Sequence, residues 1–226
     1  MFIVKATPPS GITFLVLCYP GILMGNGPAI NEYGVLQTTN YIAGLKYDNG
    51  IPRYVLGRAV LEAEGLEQAI EIATHPRRAF SYHHNLGSFA EKQLISLEVT
   101  PFDHIKHIPD TNYFHTNHFI LGDNVHFPQD SAYVHSSSLS RYFVIGKLMN
   151  EYKNHNQITN ENVIDIISSH KKAPFSPCRH PMGDVHGISL GTAWFDLNNG
   201  IMRIYKGNPC ESFPEKRYQE FNYNNL

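Results

Sequence analysis

Three polar side chains in this sequence have the chemistry of an acyl-transfer site. Asn40 and Asn117 fall near the ends of predicted strands, and Arg141 falls in the first turns of a predicted helix. A neutral amide can donate a hydrogen bond to the oxyanion that develops during acyl transfer, and a guanidinium can orient a carboxylate or a leaving group. The alternative is structural, because asparagine is a common turn former and most helical arginines are solvated. The chemical interpretation requires that the three side chains converge in the fold.

A glycine-rich turn precedes Asn40. Gly25, Gly27 and Gly34 supply positions for positive φ angles or for close backbone approach. The residues that follow, 35–39, are apolar or β-branched and predict a strand with Asn40 at its far end. These glycines do not indicate a phosphate-binding loop, since the Lys-Ser/Thr ending of such loops is absent and a strand follows.

The sequence has thirteen histidines, but their spacing does not predict a metal site. His104 and His107 are three residues apart, as are His115 and His118. On a strand this spacing directs the two members of each pair to opposite faces. We therefore predict no metal ion. The sequence also lacks the G-x-S-x-G motif that marks one class of nucleophilic serine.

Cysteine usage indicates a reducing compartment. Cys18, Cys178 and Cys210 are far apart and show no C-x-x-C spacing, so neither a disulfide framework nor a zinc knuckle is predicted. Cys18 lies in the apolar run at residues 12–18, and we interpret it as a buried core thiol. That run is too short to span a bilayer, and we find no signal-peptide pattern. The prediction is a cytoplasmic protein without a membrane partner.

Length and composition predict one globular domain over residues 1–226. Of its residues 42% are hydrophobic and 12% aromatic, which is sufficient for a sizeable core. Eighteen basic and twenty acidic side chains nearly balance, so the chain has no polyelectrolyte character. We therefore expect no nucleic-acid partner.

The hydrophobic patterns predict an α+β fold. Strand patterns cover residues 2–6, 12–18, 35–39, 80–86, 94–99, 102–108 and 113–119. Helical patterns cover residues 52–73, 136–152 and the segment from residue 159, and a hairpin is predicted from strands at 189–197 and 201–205. Antiparallel strands with helices gathered in pairs favour helices on the outside of the sheets.

The succession of short motifs along the chain resembles a known family. In order they are Asn31-Glu32-x-Gly34, the strand ending in Asn40, Ser96-Leu97-Glu98-Val99, His115-Thr116-Asn117-His118, Ser138-x-x-Arg141, Pro177-Cys178-Arg179-His180-Pro181, Gly191-Thr192-Ala193-Trp194 and Gly207-Asn208-Pro209-Cys210. This order is similar to that of the acyl-coenzyme A:6-aminopenicillanic acid acyltransferases. These are N-terminal-nucleophile hydrolases related to the choloylglycine (bile-salt and penicillin V) hydrolases. The resemblance covers essentially the whole chain.

The resemblance implies a fold and a reaction class. The fold is a four-layer αββα sandwich, here lacking its first strands. The reaction is acyl transfer or hydrolysis of the C–N bond of linear amides, or of thioesters, by an N-terminal cysteine that autoproteolysis exposes. Its own α-amino group acts as the general base. No cofactor is implied, and acyl-coenzyme A is a candidate substrate.

The resemblance also assigns roles to individual residues. Asn40 matches the oxyanion-hole asparagine of the family, Asn117 matches the second asparagine of the site, and Arg141 matches the arginine that follows it. Ser138 and Ser140 match polar positions near the substrate.

The nucleophile is the point at which this chain departs from the family pattern. In the family it lies upstream of the Asn-x-x-Gly motif, at the head of a strand, and we expect that it lies outside these residues. The expected partners are therefore a small-molecule acyl substrate and either a separate N-terminal segment or subunit, or a second copy of the chain. The alternative is a catalytically inactive remnant that binds an acyl ligand or a partner chain.

Overall fold

The computed structural model describes residues 1–153 and 158–226. The strands in this part of the chain are, in order, β1 (Phe2–Ala6), β2 (Phe14–Cys18), β3 (Ala29–Asn31), β4 (Val35–Tyr41), β5 (Tyr82–Ser88), β6 (Gln93–Val99), β7 (His104–His107), β8 (Gly191–Asp196), β9 (Ile201–Lys206) and β10 (Tyr218–Asn222).

The helices alternate with groups of strands. They are α1 (Arg53–Val60), α2 (Leu66–Ala73), α3 (Ser131–Tyr133), α4 (Leu139–Lys153), α5 (Asn160–Ser168) and α6 (Pro209–Ser212). Short 3₁₀ turns occur at Gly122–His126 and Tyr223–Asn225, and a π-helical turn, Val134–Ser138, joins α3 to α4.

Seven strands form one antiparallel sheet in chain order, from β1 to β7. Most of these connections are short and return each strand beside the one before it. The connection between β4 and β5, residues 42–81, is longer and carries α1 and α2. The register sets Asn40 opposite His83 on the next strand, and His83 opposite Glu98 on the strand after that. Because opposite residues share a face, this register gathers three polar side chains on one side of the sheet.

The other side of this sheet is covered by helices. Val35, Leu86 and Leu97 point to that side and are buried against the apolar positions of α1 and α2. Successive residues of a strand point to opposite faces of the sheet, so the apolar residues face the helices and their immediate neighbours in the strand face the other side.

The second sheet has the order β10-β9-β8 and is also antiparallel. It packs on the inner face of the first sheet, where Leu15, Leu17 and Ile30 contact Met202 and Ile204 in one buried cluster. Helix α6 contacts β9, and α5 contacts both α4 and α6. The predicted α+β class, with two stacked antiparallel sheets and helices outside them, is confirmed.

The inner face of the large sheet is divided into two halves. Its β1–β4 half is apolar and lies under the small sheet. Its β4–β6 half is polar and is covered by the irregular segment at residues 113–121. The candidate site lies in this polar half.

The Asn31-x-x-Gly34 motif has a local structural role. The side-chain Oδ1 of Asn31 accepts from the backbone N–H of Tyr33 and Val35, and its side-chain Nδ2 donates to the backbone carbonyls of Leu61 and Ala63. One buried side chain thereby connects the start of β4 to the end of α1. Gly34 has a φ of 79°, a left-handed conformation that glycine adopts without strain.

Three predicted elements differ from the structure. The helix predicted over 52–73 is two helices, because the chain turns after α1. At this turn the Asn31 amide donates hydrogen bonds to backbone carbonyls that have left the helix. The strand predicted over 113–119 is an irregular segment. The helix predicted to begin at 136 begins at Ser131, where the Asp130 carboxylate accepts from Tyr133 N at 3.1 Å and caps it.

Two local predictions are confirmed. Helix α5 begins after Thr159, whose side chain forms a capping box with Asn162. The hairpin of β8 and β9 turns at Gly200, which has a φ of 66°. No helix in residues 1–153 or 158–226 is long and apolar enough to cross a bilayer.

Buried histidines make the stability of the folded protein depend on pH. His84 faces α1 and α2, its Nδ1 lies 3.0 Å from Gln37 Oε1, and burial lowers its pKa from 6.5 to about 4. Because the folded pKa is lower than the unfolded one, the unfolded state takes up a proton first as the pH falls. The folded state is therefore most stable above the unfolded pKa, where the ring is neutral in both states. That stability is lost as the pH falls from about 6.5 towards 4, at a cost of about 3 kcal/mol for a shift of this size. His83 and His118 act in the same direction.

We expect the midpoint of urea unfolding to fall steeply between pH 6.5 and pH 4.5. His84→Gln should make this dependence shallower, because one of the groups that take up a proton on unfolding is removed. His186→Gln, at an exposed position, is the matched control and should retain the full dependence. Equal slopes for the two variants would contradict the prediction.

Candidate active site

The Asn40 side chain is held by its oxygen, at the end of β4. Its Oδ1 lies 2.7 Å from His83 Nδ1 and 3.3 Å from Asn85 Nδ2, both on the neighbouring strand. This network assigns the amide so that Oδ1 accepts and Nδ2 points the other way. Nδ2 has no acceptor among the described residues. It is therefore available to donate to a substrate oxygen, as an oxyanion hole requires.

A neutral imidazole orients Asn40. Burial lowers the pKa of His83 well below its ordinary value, and the neighbouring histidines His115 and His84 lower it further. His83 Nε2 lies 2.8 Å from Ser96 Oγ, which lies 2.8 Å from the Tyr113 hydroxyl. With Nε2 accepting from Ser96, the ring proton is on Nδ1 and is donated to Asn40.

A buried carboxylate holds the segment at residues 113–121. The Glu98 side chain is 0% exposed, and its Oε1 lies 2.9 Å from His115 Nε2. The same carboxylate accepts from Ile120 N at 2.7 Å and from Leu121 N at 3.2 Å. His115 in turn stacks on His83, with the ring centroids 3.5 Å apart. Glu98 thus satisfies backbone donors that have no partner in a sheet.

Asn117 and Arg141 are in direct contact. Arg141 Nη2 donates to Asn117 Oδ1 at 2.8 Å, and Asn117 Nδ2 donates to the carbonyl of Tyr41 at 2.9 Å. Because Tyr41 follows Asn40, this bond brings Asn117 to the end of β4. The Asn117 amide keeps one N–H beyond the bond to Tyr41. The structure therefore brings the three residues predicted from the sequence to one end of the sheet.

The two serines differ in exposure. Ser138 is 0% exposed, and its Oγ accepts from Asn117 N at 2.7 Å and lies 2.8 Å from His118 Nδ1. Its hydroxyl therefore positions Asn117. Ser140 is half-buried beside Arg141, and no side-chain hydrogen bond to it occurs among the described residues. Substrate binding by Ser138 and Ser140 stays a prediction.

A second arginine joins the site. The Ser137 hydroxyl accepts from Arg179 Nη2 and lies 3.4 Å from Arg141 Nε. Burial, followed by the charge of Arg179, lowers the pKa of Arg141 to about 10, while Tyr133 opposes this shift. Arg141 is still charged at neutral pH, so the two guanidinium groups form a cationic patch. Sequence spacing did not identify Arg179 or Ser137, although Arg179 lies within one of the family-like motifs.

The cysteines and the remaining histidines occupy three different environments in the structure. Cys18 lies within β2 and is 4% exposed, and burial raises its pKa, so the prediction of a core thiol is confirmed. His115 and His118 are bound to Glu98 and Ser138. Four other side chains come close enough to hold a metal ion, and they belong to His170, Cys178, His180 and Cys210. Sequence spacing did not predict this group, because its members come from separate segments of the chain.

Comparison with known proteins supports the resemblance seen in the sequence. A family model described as acyl-coenzyme A:6-aminopenicillanic acid acyl-transferase matches residues 1–211. A search of curated protein sequences found no match.

Two solved structures of a conjugated bile acid hydrolase from Clostridium perfringens resemble the fold. One variant of that hydrolase is similar with a TM-score of 0.56 and 13% identity, over 99% of this chain and 84% of the hydrolase chain. A second mutant is similar with a TM-score of 0.54 and 12% identity, over 95% of this chain and 77% of the hydrolase chain. At this level of identity the likeness establishes the fold alone.

We expect Glu98→Gln to destabilise the protein by about 2–3 kcal/mol, because His115 and two backbone donors lose a buried carboxylate acceptor and a neutral amide with one oxygen replaces it. Glu220→Gln is the control, since Glu220 pairs with Arg203 at the surface and should contribute less than about 1 kcal/mol. Urea unfolding at neutral pH measures both changes. A Glu98→Gln loss as small as that of the control would show that Glu98 does not hold the segment.

Proposed function

The chain belongs to the acyl-coenzyme A:6-aminopenicillanic acid acyltransferase family, and on this premise we propose that it forms the oxyanion-binding and substrate-orienting part of an acyl-transfer site. The reaction is transfer or hydrolysis of the acyl group of a linear amide or a thioester. The observation that carries the proposal is the Asn40 amide, whose oxygen is held by His83 and Asn85 and whose nitrogen has no acceptor among the described residues.

Asn40 stabilises the tetrahedral intermediate. Attack on the acyl carbonyl moves negative charge onto its oxygen, and a donor already aimed at that position needs no reorganisation during the reaction. The neutral state of His83 suits this role, because its one ring N–H is donated to Asn40 Oδ1 while its other nitrogen accepts from Ser96. The remaining N–H of Asn117 is the second proposed donor.

Arg141 and Arg179 orient an anionic group of the substrate. Their guanidinium groups share the Ser137 hydroxyl, and Arg141 is further fixed by Asn117. Guanidinium groups bind carboxylates through paired hydrogen bonds. The substrate class that fits is therefore an acyl amide or an acyl acceptor with a carboxylate close to the reacting bond. Ser138 and Ser140 lie on the same helical segment and belong to the proposed substrate-binding region.

The proposed nucleophile is an N-terminal cysteine thiol outside these residues, exposed by autoproteolysis. Its α-amino group takes the thiol proton, the sulfur bonds to the acyl carbon, and the proton passes to the departing amine. Water or an amine then attacks the thioester and releases the thiol. The burial of Cys18 in β2 supports this assignment, since that thiol has no access to substrate.

The proposed partners follow from the nucleophile. They are a separate N-terminal segment or subunit, or a second copy of the chain, together with a small-molecule acyl substrate. No cofactor is required, and acyl-coenzyme A is a candidate acyl donor. A reducing compartment such as the cytoplasm would keep the proposed thiol reactive.

We expect Asn40→Ala to lower kcat/KM by about 100-fold or more, because one oxyanion donor is lost. The assay follows hydrolysis of a chromogenic acyl amide and an acyl thioester by the protein assembled with its N-terminal nucleophile segment. Asn117→Ala should cause a comparable loss. Asn49→Ala, at an exposed turn, is the control and should retain full activity.

Three outcomes would contradict the proposal. Undiminished turnover by Asn40→Ala and Asn117→Ala would remove their assigned roles. Thiol-dependent turnover by residues 1–226 alone, abolished by Cys18→Ala, would place the nucleophile within these residues. Binding of an acyl carboxylate without turnover by the assembled protein would favour the alternative, a catalytically inactive chain that binds an acyl ligand.

A further inference from the structure

Two cysteines and two histidines from separate segments meet near the C-terminal part of the fold. His170 follows α5, Cys178 and His180 lie on the loop before β8, and Cys210 lies in α6. One potential ligand atom from each residue lies within 4.8 Å of every other one. This group lies outside the proposed acyl-transfer site.

The distances within the group fit tetrahedral coordination. Cys178 Sγ and Cys210 Sγ are 3.5 Å apart, and His180 Nε2 lies 3.3 Å from Cys210 Sγ and 3.8 Å from Cys178 Sγ. With zinc–sulfur bonds of about 2.3 Å and zinc–nitrogen bonds of about 2.0–2.1 Å, a tetrahedral site separates two sulfurs by about 3.8 Å and a sulfur and a nitrogen by about 3.6 Å. Shifts of a few tenths of an ångström would bring these three atoms to those separations.

We propose that His170, Cys178, His180 and Cys210 bind one zinc ion as a structural site. Two thiolates and two imidazoles form a donor set that zinc prefers, and calcium and magnesium prefer oxygen ligands instead. Four protein ligands leave no open position for a reacting water, so the ion has a structural role. Cys178 is buried, whereas His170 is exposed and leaves a path for the ion to enter.

The surrounding hydrogen bonds fix the ligands before any ion is bound. Cys178 N donates to the carbonyl of Ser169 at 3.0 Å, which ties the cysteine loop to the segment that carries His170. The Asn208 side-chain Nδ2 donates to the Arg179 carbonyl at 3.1 Å, which ties the loop that carries Cys178 and His180 to the start of the helix that carries Cys210.

The zinc site has a consequence for the acyl-transfer site. Arg179 lies between the ligands Cys178 and His180, and its guanidinium donates to Ser137. An ion that fixes both neighbours would restrict the backbone from which Arg179 extends. Zinc binding by these four side chains requires only their geometry and is independent of the acyl-transfer reaction.

The test is metal content in protein purified without a polyhistidine tag and under reducing conditions. We expect about one zinc per chain by elemental mass spectrometry, and the visible absorption of tetrahedral, thiolate-bound cobalt after replacement by Co²⁺. Cys210→Ser and His180→Ala should each lower the zinc affinity at least tenfold. His186→Ala, at an exposed histidine a few residues away, is the matched control and should bind zinc like the wild-type protein.

A second measurement uses the wild-type protein alone, so that the test does not depend on whether the variants fold. Removing zinc from the wild-type protein with a strong chelator should lower the Tm by about 5 °C or more, and adding zinc back should restore it. Protein that folds without zinc and shows no change in Tm when zinc is added would overturn the proposal. So would a Cys178–Cys210 disulfide under these reducing conditions, or a metal-free protein in which Cys210 alone reacts rapidly with an alkylating reagent.

Discussion

The candidate site depends on one buried carboxylate. Glu98 extends from β6 into the polar half of the inner face and accepts hydrogen bonds from His115, Ile120 and Leu121. The segment that contains these residues forms no strand, so its backbone donors need another acceptor. Glu98 supplies that acceptor and thereby fixes Asn117, which lies between His115 and Ile120. A buried carboxylate is tolerated here because both of its oxygens accept hydrogen bonds.

The division of the inner face explains where chemistry can occur in this fold. Apolar residues of β2 and β3 bury themselves under the small sheet, which stabilises the stacking of the two sheets. The adjoining strands β4 to β6 present polar residues on the same face, and these would be destabilising under a second sheet without partners. They are instead joined in a chain of hydrogen bonds that runs from Tyr113 through Ser96 and His83 to Asn40. The same alternation of strand residues therefore produces both the core and the site.

The site combines a neutral part with a cationic part. Asn40 is oriented by a histidine that burial keeps neutral, whereas Arg141 and Arg179 bring two positive charges within reach of Ser137. Such an arrangement suits an acyl substrate in which an uncharged carbonyl and an anionic group lie close together. The proposed zinc ligands border the segment that supplies Arg179, so stability of that region and geometry of the cationic part are coupled.

The elements with local signals could be predicted from the sequence. Alternating or continuous apolar residues identified β1, β2, β4 and the β8–β9 hairpin, and Thr159 marked the start of α5. The motifs also identified Asn40, Asn117 and Arg141 as site candidates, although only the structure shows that Arg141 contacts Asn117 and that the Asn40 oxygen is bound by His83.

Three features could not be predicted and are seen only in the folded chain: the irregular segment that carries Asn117, the approach of Arg179 to Ser137, and the group of two cysteines and two histidines. Each of them depends on contacts between residues far apart in the chain. Periodicity and turn signals report only on neighbours, and a loop held by a distant carboxylate has no period to detect.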